Sequence, residues 1–223
     1  MRYCLILPAI FTCLFNAEAR SIPVGLYHDR VISSVVISCS TGTYHIESGD
    51  EIIGTMEEGE LLFVRLENDS LVLHDSDREY GSFMEIRLNY MALGSSFRIR
   101  PIEPALESRT YDDNLILRGG DRFITLVNLV DFDKYLAGVV EAEAGPNAEP
   151  EFYKAQSVLC RTYAVKYLDR HETEGYALCD GVHCQAYRGK SIYNPAILEA
   201  VVETTGEVPV SYTHLTLPTK RIV

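Results

Sequence analysis

YLAGVVEAEAG (Tyr135–Gly145), EFYKAQSVLCRTYAVKY (Glu151–Tyr167) and LCDGVHCQAYRG (Leu178–Gly189) follow one another within the stretch from Asp133 to Gly189. In the first segment Tyr135, Val139 and Ala142 share a helical face with Leu136 and Val140 beside it. Asp131 or Asp133 is placed to cap this helix, and Ala144-Gly145-Pro146 stops it. The second segment predicts a helix from about Pro150, a residue suited to the first turn, to about Arg170. Phe152, Ala155, Leu159 and Tyr163 form its apolar stripe, expected to face the core. A third short helix is predicted over Pro195 to Thr204. A carboxylate, a Lys, a Gln and an Arg at helical spacing, followed by a Cys/His cluster, are more polar chemistry than a packed core requires.

Upstream the pattern changes to short β-branched or alternating runs: Ile22–Leu26, Val31–Ser38, Tyr44–Ile46, Leu61–Leu66, Leu71–Leu73 and Phe97–Ile99. Turn signals such as Ser48-Gly49-Asp50 and Glu58-Gly59 separate them. Asn114–Leu117 and Arg122–Val127, joined by Arg118-Gly119-Gly120-Asp121, read as a hairpin. His28, His45 and His74 are isolated in this region and read as surface or strand-packing residues. The fold class expected is a mixed α/β (α+β) chain. A β-rich region over 20–108 precedes a helix- and strand-containing domain over 109–209.

The two ends of the chain read differently. Arg2, the apolar run Cys4–Phe15 and Ala17-Glu18-Ala19 form an export signal, with cleavage expected after residue 19. Removal of Cys4 and Cys13 leaves Cys39, Cys160, Cys179 and Cys184 in a compartment that permits disulfides. The run Val210 to Thr219 resembles the in-frame translation of a transposase adapter used in DNA library preparation. Residues 210–223 are therefore read as foreign, and His214 is excluded from any site. The formal net charge of −12 argues against nucleic acid or anionic lipid as partner. A neutral or cationic ligand such as a glycan fits better. No segment after the signal is long and apolar enough for a membrane helix.

Three groups of residues carry candidate chemistry. Glu143 falls at the end of the first helix, where the negative end of the helix dipole favours a protonated carboxyl, as a proton donor requires. Glu141 points elsewhere on a helix. Lys154, Gln156 and Arg161 lie on the second helix, Arg161 with a planar fork suited to carboxylate or sugar oxygens. Cys179, His183 and Cys184, with His171 upstream, supply four zinc-type ligands. A Cys179–Cys184 disulfide competes with that assignment.

Taken in order, these segments resemble the SpoIID/LytB family, named for a sporulation-stage protein and an amidase enhancer. The matching residues are Tyr135-Leu136-Ala137-Gly138-Val139-Val140, Glu143, Glu151, Lys154-Ala155-Gln156, Arg161-Thr162-Tyr163-Ala164, Cys179-Asp180, His183-Cys184-Gln185, Tyr187 and Gly189. The resemblance covers about Arg109 to Val208, and it implies an exported protein directed at peptidoglycan. Catalytic members are lytic transglycosylases that cut the MurNAc–GlcNAc bond without water and leave a 1,6-anhydro sugar. It places Glu143 at the catalytic position. Lys154, Gln156, Arg161, Gln185 and Tyr187 are implied as substrate-binding residues. Cys179, His183, Cys184 and His171 are implied as ligands of a structural zinc. The implied partners are glycan strands and a cell-wall amidase. Two departures stand out: the turn after Glu143 is one residue longer than the family's Glu-Met-Pro, and the family domain continues past Val208. The rival reading is a non-catalytic module that binds peptidoglycan and enhances an amidase. A third is a zinc-dependent hydrolase.

Overall fold

The computed structural model describes residues 21–208. The expected export signal and the adapter-like tail lie outside them. Twelve strands precede the first helix: β1 (Ser21–Leu26), β2 (Ser34–Thr41), β3 (Thr43–Ser48), β4 (Glu51–Glu57), β5 (Leu61–Glu67), β6 (Ser70–His74), β7 (Glu79–Phe83), β8 (Glu85–Tyr90), β9 (Ser96–Glu103), β10 (Arg109–Asp112), β11 (Asn114–Arg118) and β12 (Thr125–Asp131). They are followed by α1 (Phe132–Ala144), α2 (Pro150–Lys166), a two-residue strand β13 (Leu178–Cys179) and α3 (Pro195–Glu203). The fold is mixed α+β, as expected.

The strands form two open sheets, one in the order β13-β1-β12-β11-β8-β3-β4 and one in the order β10-β9-β2-β5-β6-β7. β1 is the seam of the first sheet. It pairs antiparallel with β12 and parallel with β13. The chain's start therefore lies in the same sheet as the strand that feeds α1 and the strand that opens the Cys/His segment. That sheet also carries β8 and β11 side by side, so it runs across position 108 without a break. Buried side chains from both sheets and all three helices join in a single apolar cluster.

Within that cluster a line of aromatic rings runs from strand to helix. Tyr44 of β3 meets Phe97 of β9 at 5.9 Å between centroids, and Phe97 meets Tyr111 of β10 at 5.8 Å. Tyr111 then meets Tyr187 at 5.9 Å, and Tyr187 meets Tyr135 of α1 at 5.1 Å. Such separations are those of favourable aromatic pairs. Tyr187, expected to bind substrate, is thus a core residue. Its ring is 1% exposed, and its hydroxyl donates to the buried Asn128 Oδ1 at 3.0 Å.

The helix starts follow the residue chemistry. Asp131 caps α1 by accepting from the backbone of Asp133 and Lys134, and Asn194 caps α3 by accepting from Ala196 N. α2 differs from expectation. It buries Tyr153, Ser157, Cys160, Arg161 and Ala164, while Phe152 and Leu159 of the predicted core stripe are 51% and 58% exposed. Ala155 is also exposed, and Tyr163 is half-buried. Small residues let this inward face lie close to its neighbours, and Arg161 turns it toward α3.

Gly138 fixes how close α1 lies to the 187–189 segment. A Cβ there would stand 2.2 Å from Gly189 O and 2.7 Å from the Tyr187 ring. Gly138→Ala gains helix propensity of about 1 kcal/mol but overpacks a rigid contact. We expect a net loss of about 1–3 kcal/mol in urea unfolding. A midpoint at or above the wild type would show that the segment yields.

Candidate functional site

Glu143 is exposed on the last turn of α1. Its Oε2 accepts from Gln156 Nε2 at 3.2 Å, and its Oε1 lies 3.4 Å from the backbone N–H of Ala186. The Cys160 thiol stands 4.0 Å from Oε2 and also contacts Gln156 Nε2 at 3.6 Å. Burial, then the neighbouring Glu143, pushes that thiol up to about 12, so at neutral pH it stays an S–H donor. One carboxylate is therefore held by three elements: the end of α1, one face of α2, and the segment after the Cys/His cluster. Glu141 is turned away, as expected. It accepts from Ser191 Oγ at 2.8 Å and from the N–H groups of Ile192 and Tyr193 at 3.1 and 2.9 Å. Its function is to hold the loop that enters α3.

The other expected ligand-binding residues are distributed differently. Gln156 is beside Glu143. Gln185 is buried behind it, its Oε1 accepting from Tyr135 OH at 3.4 Å. Lys154 is turned to α3, where Nζ pairs with Glu203 at 2.9 Å and with Glu151 at 2.8 Å. Arg161 is 3% exposed, and its guanidinium donates to Thr204 O at 2.7 Å and Val201 O at 2.9 Å. It also faces Asp133 at 3.6 Å. The structure thus engages Lys154, Arg161 and Tyr187, expected as substrate contacts, within the protein itself. Their polar atoms hold α3 or the core and do not reach the Glu143 carboxylate.

The Cys/His segment converges as its residue types suggest. One ligand atom from each of His171, Cys179, His183 and Cys184 falls within 4.8 Å of all the others. Cys184 Sγ is 3.4 Å from His171 Nε2 and 3.9 Å from His183 Nδ1, and Cys179 Sγ is 3.8 Å from His183 Nδ1. Both cysteines are free thiols. Two thiols and two imidazoles at these separations suit a tetrahedral zinc. Burial holds the Cys179 thiol well above its ordinary range, which a bound cation would reverse. His171 Nδ1 lies 2.7 Å from Glu174 Oε1, leaving Nε2 to face the cluster. A carboxylate behind an imidazole in this way fixes the tautomer for metal binding. Glu174 also accepts from Tyr176 OH at 2.5 Å.

Asp180, within the cluster, secures the segment to β1. Its buried carboxylate accepts from Tyr27 N at 2.8 Å and Arg109 Nη1 at 2.7 Å, and lies 3.2 Å from His28 Nδ1. His28 is therefore not an isolated strand histidine; its ring centroid is 6.3 Å from that of His171. Neither Glu174 nor His28 was identified from the sequence. Glu174 is one more acid on a polar turn, and His28 is remote along the chain. His74 does match its reading, stacked on Phe63 at 4.8 Å.

Fold and site together define a mixed α/β protein in which one open carboxylate adjoins a Cys/His cluster. Residues 121–212 match the SpoIID family model, described as stage II sporulation protein. That segment is similar to the SpoIID family, which is associated with cell-wall lytic activity. No curated protein and no solved structure matches the chain. Among the described residues, no helix is long and apolar enough to cross a membrane.

If Arg161 holds α3 rather than substrate, its loss must appear as instability. Arg161→Ala leaves two buried carbonyls without their charged donor and should cost about 3 kcal/mol in urea unfolding. Arg161→Lys should recover only part of this, since an ammonium cannot span both carbonyls. A variant as stable as the wild type would return Arg161 to the list of ligand contacts.

Proposed function

We propose that the protein is an exported lytic transglycosylase that cleaves MurNAc–GlcNAc bonds of peptidoglycan, with Glu143 as its only acid and base. The observation that carries this reading is the placement of Glu143. It is an accessible carboxyl gripped on both oxygens by Gln156 and Ala186, with Glu141 committed elsewhere. Glycosidases that use water generally need two carboxyl groups; a reaction that closes the sugar on itself needs one. The protonated Glu143 gives its proton to the bridging oxygen as the bond to C1 breaks. The resulting carboxylate takes the proton of the MurNAc C6 hydroxyl as that oxygen bonds to C1, leaving the 1,6-anhydro sugar. Gln156 holds the carboxyl in one orientation throughout. The Cys160 S–H lies on the buried side.

Replacing the acid by its amide keeps the shape and removes the proton transfer. Glu143→Gln should lower release of anhydro-muropeptides from glycan strands at least ~100-fold, the scale of general acid catalysis, with an unchanged unfolding midpoint. Release at the wild-type rate would remove Glu143 from the mechanism. If wild-type protein releases no anhydro product yet still stimulates a cell-wall amidase, the binding-module reading replaces the enzyme.

His171, Cys179, His183 and Cys184 are proposed to hold a structural zinc, with Glu174 and Asp180 as its outer supports. The metal would supply cross-linking energy to a segment that contains only two residues of strand. We expect about one zinc per chain by elemental analysis and a lower thermal midpoint after chelation. Cys184→Ser should lose the metal. A Cys179–Cys184 bridge found by non-reducing peptide mapping of the exported protein would overturn the assignment.

A further inference from the structure

α2 presents a second face that is only partly covered: Tyr163 and Tyr167 pack at the edge of the core, while Phe152 and Leu159 stay exposed. At 3.6 residues per turn, Phe152, Gln156, Leu159, Tyr163 and Tyr167 fall within an arc of about 80°. The span from the first to the last is about 22 Å at 1.5 Å per residue. The buried residues Cys160, Tyr153, Ala164, Ser157 and Arg161 lie to one side of this arc. Phe152 and Leu159 are 51% and 58% exposed. Tyr163 and Tyr167 are half-buried with ring centroids 4.6 Å apart.

This face has a wall and a reactive group. Tyr163 OH donates to His183 O at 3.3 Å, and Arg170 Nη1 donates to the same carbonyl at 2.8 Å. Further along, the Ala186 N–H reaches Glu143. The segment 183–186 therefore runs beside the α2 face from Tyr163 to Gln156. Glu143 stands over Gln156, with Phe152 one turn to one side and Leu159 and Tyr163 one and two turns to the other. The result is a strip of α2 walled on one side by 183–186 and exposed at Leu159, with the Glu143 carboxyl beside Gln156 between apolar residues.

We infer that this face of α2 is the floor of a glycan-binding groove, with Phe152 on one side of the scissile bond and Leu159 and Tyr163 on the other. The inference rests on the function proposed for Glu143 and adds residues to it. Pyranose rings carry flat C–H faces that pack on aromatic and branched apolar side chains, while their hydroxyls stay in water. The stripe adjoins the Glu143 site, so a strand whose bond is cut there can lie along it. The net charge of −12 opposes an anionic lipid surface on the same face. A groove with contacts on both sides of the carboxyl predicts cleavage within strands as well as at their ends.

The test uses the full chain and two probes, isolated peptidoglycan sacculi and a soluble N-acetylglucosamine hexamer. Phe152→Ala and Leu159→Ala remove exposed side chains, so the thermal midpoint should not move. Each should weaken binding to both probes several-fold, and the double variant at least tenfold. Glu143→Gln should bind like the wild type. Binding by the double variant within twofold of wild type, or no binding by the wild type, overturns the inference. So does a wild-type self-association, seen by sedimentation, that Leu159→Ala abolishes while glycan binding stays unchanged, because the face would then be an interface between copies. If Glu143→Gln cleaves normally, the proposed mechanism falls, and the binding loss in Phe152→Ala and Leu159→Ala still decides whether the groove is real.

Discussion

The carboxylate of Asp180 is the contact on which the site depends. It is 4% exposed, and an ionised group so placed is tolerated only when its lone pairs are occupied. Here they are: the Tyr27 and His28 amides, the His28 ring and the Arg109 guanidinium all face it. The backbone on either side is tied as well, Asp180 N to Gly25 O at 3.0 Å and Tyr187 N to Asp180 O at 3.1 Å. One side chain thus joins the first strand, the strand region at Arg109 and the Cys/His segment. Together with β13 and the buried Tyr187 ring, it fixes the path of residues 178–189. Both the thiol–imidazole cluster and the Ala186 N–H on Glu143 belong to that path.

Much of this arrangement is local and was legible. The Asp131 cap, the Pro150 start of α2 and the Asn194-Pro195 start of α3 are decided by groups within a few residues. Strands with strong alternation, such as β5 and β6, were equally plain. β7 and β8 were missed, since Glu79–Phe83 and Glu85–Tyr90 mix Gly, Ser, Glu and Arg with few branched residues and owe their conformation to neighbouring strands. The expected hairpin exists, but β12 starts at Thr125 rather than Arg122, because six residues rather than a tight turn separate β11 and β12.

The site was legible by residue type and not by contact. Periodicity showed that α2 has an apolar stripe; it could not show which face is buried. The inward face is set by partners distant in sequence, above all the α3 carbonyls that need Arg161. A sequence reading that turns Phe152 to the core and Arg161 outward inverts the helix, and both placements differ from the structure for that one cause. The same applies to His28 and Glu174, whose meaning comes only from Asp180 and His171.

Once α2 is turned this way, its division of work follows. The guanidinium, the serine and the small residues face inward, where hydrogen bonds to backbone satisfy them. The large apolar residues are left outward at a free-energy cost of about 25 cal/mol for each Å² of apolar surface kept in water. A helix whose most hydrophobic side chains are displaced outward by an arginine is under a constraint other than its own stability. Under the function proposed for Glu143, that constraint is access to its carboxyl. A carboxyl meant to exchange protons with a polymer must be reachable from outside, so the surface around it must stay open and still favour the polymer over water. Lys154 of α2 is engaged by Glu151 and Glu203. Uncharged contacts remain, and the residues that provide them beside Gln156 are Phe152, Leu159 and Tyr163.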